Sequence, residues 1–108
     1  MNIKNTIKYE LVKLGYNFAN IGTTYLIEAI LMITNSDNYV KEMSNLELNI
    51  YGKLANKYHI SQQTIKSDIV KATNNTDKFI SLKKKDKLYI KLTPKYVIYY
   101  IIDSIKIT

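Results

Sequence analysis

The fold is decided by residues 48–73, which read LNIYGKLANKYHISQQTIKSDIVKAT. On each side of the run Tyr58-His59-Ile60-Ser61, apolar residues recur at the spacing of one helical face. They are Ile50, Leu54, Ala55 and Tyr58 on one side, and Ile65, Ile69 and Ala72 on the other. Ser61 is placed to cap the second helix. Two amphipathic helices joined by so short a break are typical of a helix-turn-helix, here at about residues 47–73.

Length and charge narrow the class of protein. A chain of 108 residues is long enough for one folded domain, predicted at 1–108. Its 16 basic and 9 acidic residues give a net charge of +7, which favours a polyanionic partner such as nucleic acid. All the basic residues are lysine, so any reading of base edges must use Gln, Asn, Ser, Thr or Lys.

The composition also points to a compartment. The chain has no cysteine, which excludes disulfides and thiolate metal sites and fits a reducing environment. The sequence contains neither a signal peptide nor an apolar run of membrane-spanning length. We therefore predict a cytoplasmic protein with no membrane partner.

Two further helices are predicted before the helix-turn-helix. The first should end at Gly15, which sits where a helix C-terminal cap belongs. The second could be capped by Asn20 or by Thr23, and it is apolar nearly all round, so it should be the central, most buried helix. Its apolar residues are Tyr25, Leu26, Ala29, Ile30, Met32 and Ile33. Residues 39–45 are ambiguous and could form one turn of helix.

The last third of the chain changes pattern. Apolar runs on both sides of a basic tip indicate a short β-hairpin near residues 79–92, similar to the wing of a winged helix. Thr93 and Pro94 then begin a last helix that is too apolar to be covered on one side only, so it either packs deep in the core or forms a dimer contact. We predict self-association through Tyr96, Ile98 and Ile102. The predicted fold class is mainly α, with five to six helices.

Two blocks of the sequence resemble a known family. Residues 22–30, GTTYLIEAI, and residues 50–58, IYGKLANKY, are similar to the DNA-binding effector domain of the sporulation response regulator family, the stage-zero sporulation protein A family. Weaker similarity covers residues 11–21 and 94–105, so the resemblance spans most of the chain with gaps. It implies an all-helical domain that binds double-stranded DNA, often as adjacent copies that touch through their later helices. Where we predict a wing, the family has a helix and a loop.

This chain also differs from the family in two respects. Family members usually have an N-terminal receiver domain that is phosphorylated on aspartate, and we expect this chain to be a standalone domain without one. The family's recognition helix has arginine, glutamate, arginine and arginine where this chain has Thr64, Lys66, Ser67 and Val70. The scaffold therefore matches while the residues that read DNA differ, and the family's target sequence is not carried over.

The predicted DNA contacts lie on the helix-turn-helix and on the basic tip. Glutamine can bond adenine N6 and N7 together, and a threonine methyl can meet the methyl of thymine, so we expect an AT-rich site. The residues expected to face DNA are Ser61, Gln62, Gln63, Thr64, Lys66 and Ser67. Candidate phosphate contacts are Lys53, Lys57 and Lys71, with Lys83, Lys84, Lys85 and Lys87 on the tip.

The sequence supports three hypotheses about function. The first is a sequence-specific transcriptional regulator that occupies an operator and could contact RNA polymerase. The second is an architectural accessory factor, such as a recombination directionality factor of a mobile element that works with a recombinase. The third is an interaction protein that antagonises a full-length regulator of the family. His59 is the only histidine, and no acid or nucleophile is spaced around it, so we predict no enzyme activity, metal or cofactor.

Overall fold

The computed structural model describes residues 2–76 and 93–107, and in these ranges it is helical throughout, with short connections. The helices are α1 (Ile3–Leu14), α2 (Ile21–Thr34), α3 (Tyr39–Ser44), α4 (Gly52–Tyr58), α5 (Gln62–Asn74) and α6 (Pro94–Ile107). A π-helical turn, Glu47–Tyr51, runs directly into α4. The predicted mainly-α fold of five to six helices is confirmed. The hairpin predicted near residues 79–92 lies outside the described residues.

The helix ends follow from local hydrogen bonding. Gly15 ends α1 with φ of 97°, a left-handed conformation that glycine adopts without steric cost, as its position predicted. The side chain of Asn20 accepts a hydrogen bond from the Gly22 amide at 2.9 Å, so Asn20 and not Thr23 is the N-cap of α2. Residues 39–45, ambiguous in the sequence, contain the short helix α3.

Helix α2 is the centre of the fold, as predicted. It packs against α1, α3, α4, α5 and α6, and against the π-helical turn. Leu26, Ala29, Ile30 and Ile33 are fully buried on it. An apolar helix of this kind is stable in water only when neighbours cover most of its surface, and on α2 they leave Ile21, in the first turn, exposed.

The predicted self-association face needs a correction. Val97, Ile98, Ile101 and Ile102 are buried inside the monomer, where α6 packs against α1, α2 and α5. Of the three residues predicted to join two copies, Ile98 and Ile102 are therefore not at the surface, and Tyr96 is partly buried. The wide apolar arc of α6 is used in the core because its neighbours in the same chain cover it. Self-association itself stays a prediction.

Two buried threonines differ in how their hydroxyls are bonded. The Thr73 hydroxyl donates to the Ile69 carbonyl oxygen at 2.9 Å and lies 2.9 Å from the Tyr16 hydroxyl. A hydroxyl has one hydrogen to donate, so Tyr16 is the donor to Thr73. The Thr23 hydroxyl is also fully buried, but it has no hydrogen-bond partner among the described residues. A buried polar group without a partner reduces stability.

Replacing these threonines with valine should therefore have opposite effects. Thr23→Val removes an unpartnered hydroxyl and should raise the free energy of unfolding by about 1 kcal/mol. Thr73→Val removes a bonded hydroxyl and leaves the Tyr16 hydroxyl without its acceptor, which should cost about 2 kcal/mol. Urea denaturation of both variants checks this. A loss of stability in Thr23→Val equal to that in Thr73→Val would contradict the difference in bonding.

Candidate nucleic-acid interface

The connection between α4 and α5 is a three-residue turn with a strained first position. His59 has φ of 56° and is the one non-glycine residue with positive φ within residues 2–76 and 93–107. The Ile60 amide bonds back to the Ala55 carbonyl oxygen at 3.1 Å, which closes the end of α4. The Ser61 side chain accepts a hydrogen bond from the Thr64 amide at 3.0 Å, so Ser61 caps α5 as predicted. The turn and the cap together define the direction in which α5 starts.

The inner face of α5 holds the helix against the core. Ile65, Ile69 and Ala72 are buried, as the spacing predicted. The closest approach is to α2, where Gly22 lies against the backbone of Asp68: a Cβ built on Gly22 would be 2.5 Å from the Asp68 carbonyl carbon and 3.0 Å from Ala72 Cβ. Helix α5 therefore rests directly on α2, and this close contact sets the rotation of α5 about its own axis.

The rotation of α5 about its axis decides which of the predicted residues point outward. Gln63, Thr64 and Lys71 are exposed, and Ser67 is half-buried. Gln63, Ser67 and Lys71 are spaced by four residues, so they lie along one side of the helix, opposite the buried face. We call Gln63, Thr64, Ser67 and Lys71 the outer stripe of α5.

Two predicted DNA-facing residues lie instead at the edge of α5. Gln62 is half-buried, and a Cβ built on Gly52 of α4 would lie 3.4 Å from its Oε1 atom. Lys66 forms an ion pair with Glu47 of the π-helical turn. Gln62 and Lys66 thus lie beside the segment before α5, and in the outer stripe the Thr64 hydroxyl lies 2.8 Å from the Ser61 hydroxyl of the turn.

The lysines predicted on α4 also differ from each other. Both are exposed, and Lys53 has no ion-pair partner in the described part of the chain. The Lys57 ammonium bonds Glu28 Oε2 of α2 at 2.8 Å and lies 5.5 Å from the centre of the Tyr58 ring. The hydrogen bond to Glu28 and its charge raise the pKa of Lys57. Lys57 is therefore held on the side of α4 that faces α2.

Glu28 and Glu47 are the residues that sequence reasoning missed as neighbours of this surface. Glu28 is 29 residues from Lys57 in sequence, and no local spacing links them. Glu47 lies on the π-helical turn, which the helical pattern of the sequence did not reveal. Their partners, Lys57 and Lys66, were both predicted to contact DNA. The structure thus adds two carboxylates to a surface predicted from its lysines and amides.

Packing beneath the turn ties α4 to α2. The rings of Tyr25 and Tyr58 are 5.0 Å apart between centroids and are tilted by 57°. This tilted arrangement is one that aromatic pairs favour. Both tyrosines were predicted to be core residues, and Tyr25 is buried while Tyr58 is half-buried against the core. The ring pair supports the end of α4 just before the turn.

The four lysines predicted on the basic tip are not among the described residues. They are Lys83, Lys84, Lys85 and Lys87. Within residues 2–76 and 93–107, no three side chains of the metal-binding types come together. In the same ranges, every helix is too short or too polar to cross a membrane.

Comparison with known proteins adds no relative. No protein-family model matches the chain, and no curated protein or solved structure matches it either. The resemblance to the sporulation regulator effector domain therefore stays a prediction that rests on residues 22–30 and 50–58.

Proposed function

We propose that this protein binds double-stranded DNA through α5 and regulates transcription by occupying an operator. The observation that carries the proposal is the outer stripe: Gln63, Thr64, Ser67 and Lys71 stand together on a capped helix that begins after a three-residue turn. A helix held in this way can enter the major groove with its first turns leading. The predicted resemblance to a family of DNA-binding effector domains supports the same function.

The stripe offers a chemistry for reading bases. The Gln63 amide can bond adenine N6 and N7 together, and Thr64 carries a methyl group that can meet the methyl of thymine. The Ser67 hydroxyl can donate to or accept from either base edge. Lys71 adds a positive charge suited to a phosphate. These side chains favour an AT-rich site.

Charge elsewhere in the sequence supports a nucleic-acid partner. Six of the sixteen lysines and two of the nine acidic residues lie between positions 77 and 92, so that segment carries four of the seven net positive charges. Lysines in such a number release counterions when they meet DNA phosphates, and that release drives binding. We propose that Lys83, Lys84, Lys85 and Lys87 add backbone contacts independent of sequence.

Selection of bound duplexes from a random pool at two salt concentrations tests the function. An enriched AT-rich motif is the result expected of an operator-binding regulator. A steep salt dependence without any enriched motif would point instead to the architectural role, because phosphate contacts carry no sequence information. Failure to retain any duplex at low salt would reject DNA binding by this chain.

The outer stripe can be tested by replacing the two glutamines. The double variant Gln62→Ala, Gln63→Ala should flatten the base preference, because one bidentate contact to adenine discriminates by about 1–3 kcal/mol. Gln63→Ala alone should cause most of this loss, since Gln62 lies against α4, and Gln62→Ala is the matched control. A motif that survives in the double variant would remove the glutamines from the reading surface.

The antagonist function is the second candidate, and one observation favours it. Glu28 and Glu47 neutralise two of the lysines on this surface, which lowers the charge available to DNA. A chain with this scaffold and little affinity for DNA could instead pair with a full-length regulator. Binding to such a regulator, together with no binding to any duplex, would support this candidate over the first.

A further inference from the structure

Two of the four described lysines at the candidate interface form ion pairs with carboxylates. Lys57 is bonded by Glu28 at 2.8 Å, and Lys66 is paired with Glu47. Lys53 and Lys71 have no ion-pair partner among the described residues. Both carboxylates belong to segments outside α4 and α5, on α2 and on the π-helical turn.

The two ion pairs are placed where a phosphate could compete for them. The Lys57 and Lys66 side chains are 56% and 45% exposed, and those of Glu28 and Glu47 are 23% and 49% exposed. Pairs that reach solvent to this extent are weakly held, because water screens the attraction. The carboxylate nevertheless stays close to the ammonium, so an approaching phosphate meets a group with almost no net charge.

We propose that Glu28 and Glu47 limit the DNA affinity of this protein by withholding Lys57 and Lys66 from the phosphates. This inference rests on the proposed DNA binding. Of the four lysines on α4 and α5, Lys53 and Lys71 then make the phosphate contacts in the unmodified chain. The two glutamates set how many counterions are released, and so they set both the affinity and its dependence on salt.

Replacing either glutamate with glutamine should therefore strengthen binding. Log affinity falls linearly with log salt concentration, and each new contact between a lysine and a phosphate makes this slope steeper by about 0.9. At 0.15 M salt one such contact corresponds to about fivefold tighter binding. Glu28→Gln and Glu47→Gln should each show this gain, and the double variant should show about twice the change in slope. Glutamine keeps the size of the side chain, so the packing around it is preserved.

The measurement is the dissociation constant for one AT-rich duplex, by fluorescence anisotropy, across a series of salt concentrations. Glu10→Gln is the matched control, because Glu10 pairs with Lys13 on α1 and its replacement changes the net charge equally. The lysine that Glu10 pairs with lies on α1 and not on α4 or α5, so this variant should change affinity less than twofold. An equal gain in the control would reduce the effect to net charge and overturn the proposal.

A second arm shows whether the gain acts through the paired lysine. The variant Glu28→Gln, Lys57→Gln has the same net charge as the unmodified chain, and its salt slope should return to that of the unmodified chain. A slope that stays high in this variant would contradict the role of Lys57. If Glu28→Gln lowers the thermal stability, Glu47→Gln still decides the matter, because its pair lies on the exposed edge of α5.

The outcomes separate this inference from the function on which it rests. Binding by the unmodified chain, with slopes unchanged or lower in both glutamine variants, would overturn the inference and leave the DNA-binding function intact. No binding by any of the variants, even at low salt, would overturn both.

Discussion

Replacing Gly22 with alanine should lower the free energy of unfolding by about 3 kcal/mol, the upper part of the range for overpacked sites. The new Cβ would overlap the carbonyl group of Asp68, with the carbonyl carbon 2.5 Å away. That group belongs to the backbone of α5, which cannot rotate away as a side chain can. The two helices must separate, and contacts along both are weakened.

The effect should be visible in a thermal scan. For a domain of this size, 3 kcal/mol corresponds to a fall in Tm of about 12 °C or more. Because α5 carries the outer stripe, a shift of α5 should also disturb any base preference. The variant therefore connects the packing of α2 to the candidate interface.

Gly52→Ala is the matched control for this substitution. Gly52 is also helical, but a Cβ there would lie 3.4 Å from the end of the Gln62 side chain and 3.6 Å from the Glu47 carbonyl oxygen. These are ordinary contacts, and alanine favours helix more than glycine by up to about 1 kcal/mol. Gly52→Ala should be neutral or more stable. Equal stabilities for the two variants would contradict the close approach of α2 and α5.

Alkaline pH should destabilise the protein through two buried tyrosines. Burial raises the pKa of Tyr16 from 10.0 to about 12. Burial also raises the pKa of Tyr51, and the nearby charge of Glu47 adds to the effect. Both side chains therefore stay neutral in the folded protein at a pH where exposed tyrosines ionise.

The direction of the pH effect follows from proton binding. Above pH 10 the unfolded chain releases the tyrosine proton, while the folded protein keeps that of Tyr16 up to about pH 12. The stabilisation is complete below pH 10 and is lost between pH 10 and 12. Two units of pKa difference correspond to about 3 kcal/mol for Tyr16, and Tyr51 adds a loss of the same sign.

Comparison of variants isolates the tyrosines from the lysines, which also titrate in this range. In Tyr16→Phe, Tyr51→Phe the free energy of unfolding should fall less steeply above pH 10 than in the unmodified protein. Tyr99→Phe, at an exposed position on α6, should leave the slope unchanged. Urea denaturation at several pH values from 8 to 12 provides the measurement. Parallel slopes in all three proteins would show that the buried tyrosines are not responsible.

Much of the fold could be predicted because its signals are local. Gly15 as a C-cap, Ser61 as an N-cap and the buried positions Ile65 and Ile69 all depend on neighbours within a few residues. Helical periodicity places apolar side chains on one face whatever the rest of the chain does. The residue types offered for DNA contact, including Gln63 and Thr64, could be proposed for the same reason.

The errors and omissions concern residues far apart in sequence. The apolar pattern of α6 is compatible with packing in the core or against a second copy. We predicted that Ile98 and Ile102 contact a second copy, but the structure buries both in the core of the same chain. Helical spacing measures how wide an apolar face is, but it does not say which surface will cover it. Likewise, the hydrogen bond between Tyr16 and Thr73 joins residues 57 apart, and no spacing predicts it.

The sequence by itself determined that residues 48–73 form two helices around a turn, and which side chains α5 could offer to DNA. The tertiary structure alone decided how those side chains are presented. Contact with Gly22 sets the rotation of α5, so Gln63 points outward. Ion pairs with Glu28 and Glu47 hold the ammonium groups of Lys57 and Lys66. The physical reason is that caps and periodicity act over a few residues, whereas helix contact and ion pairing depend on how distant segments pack.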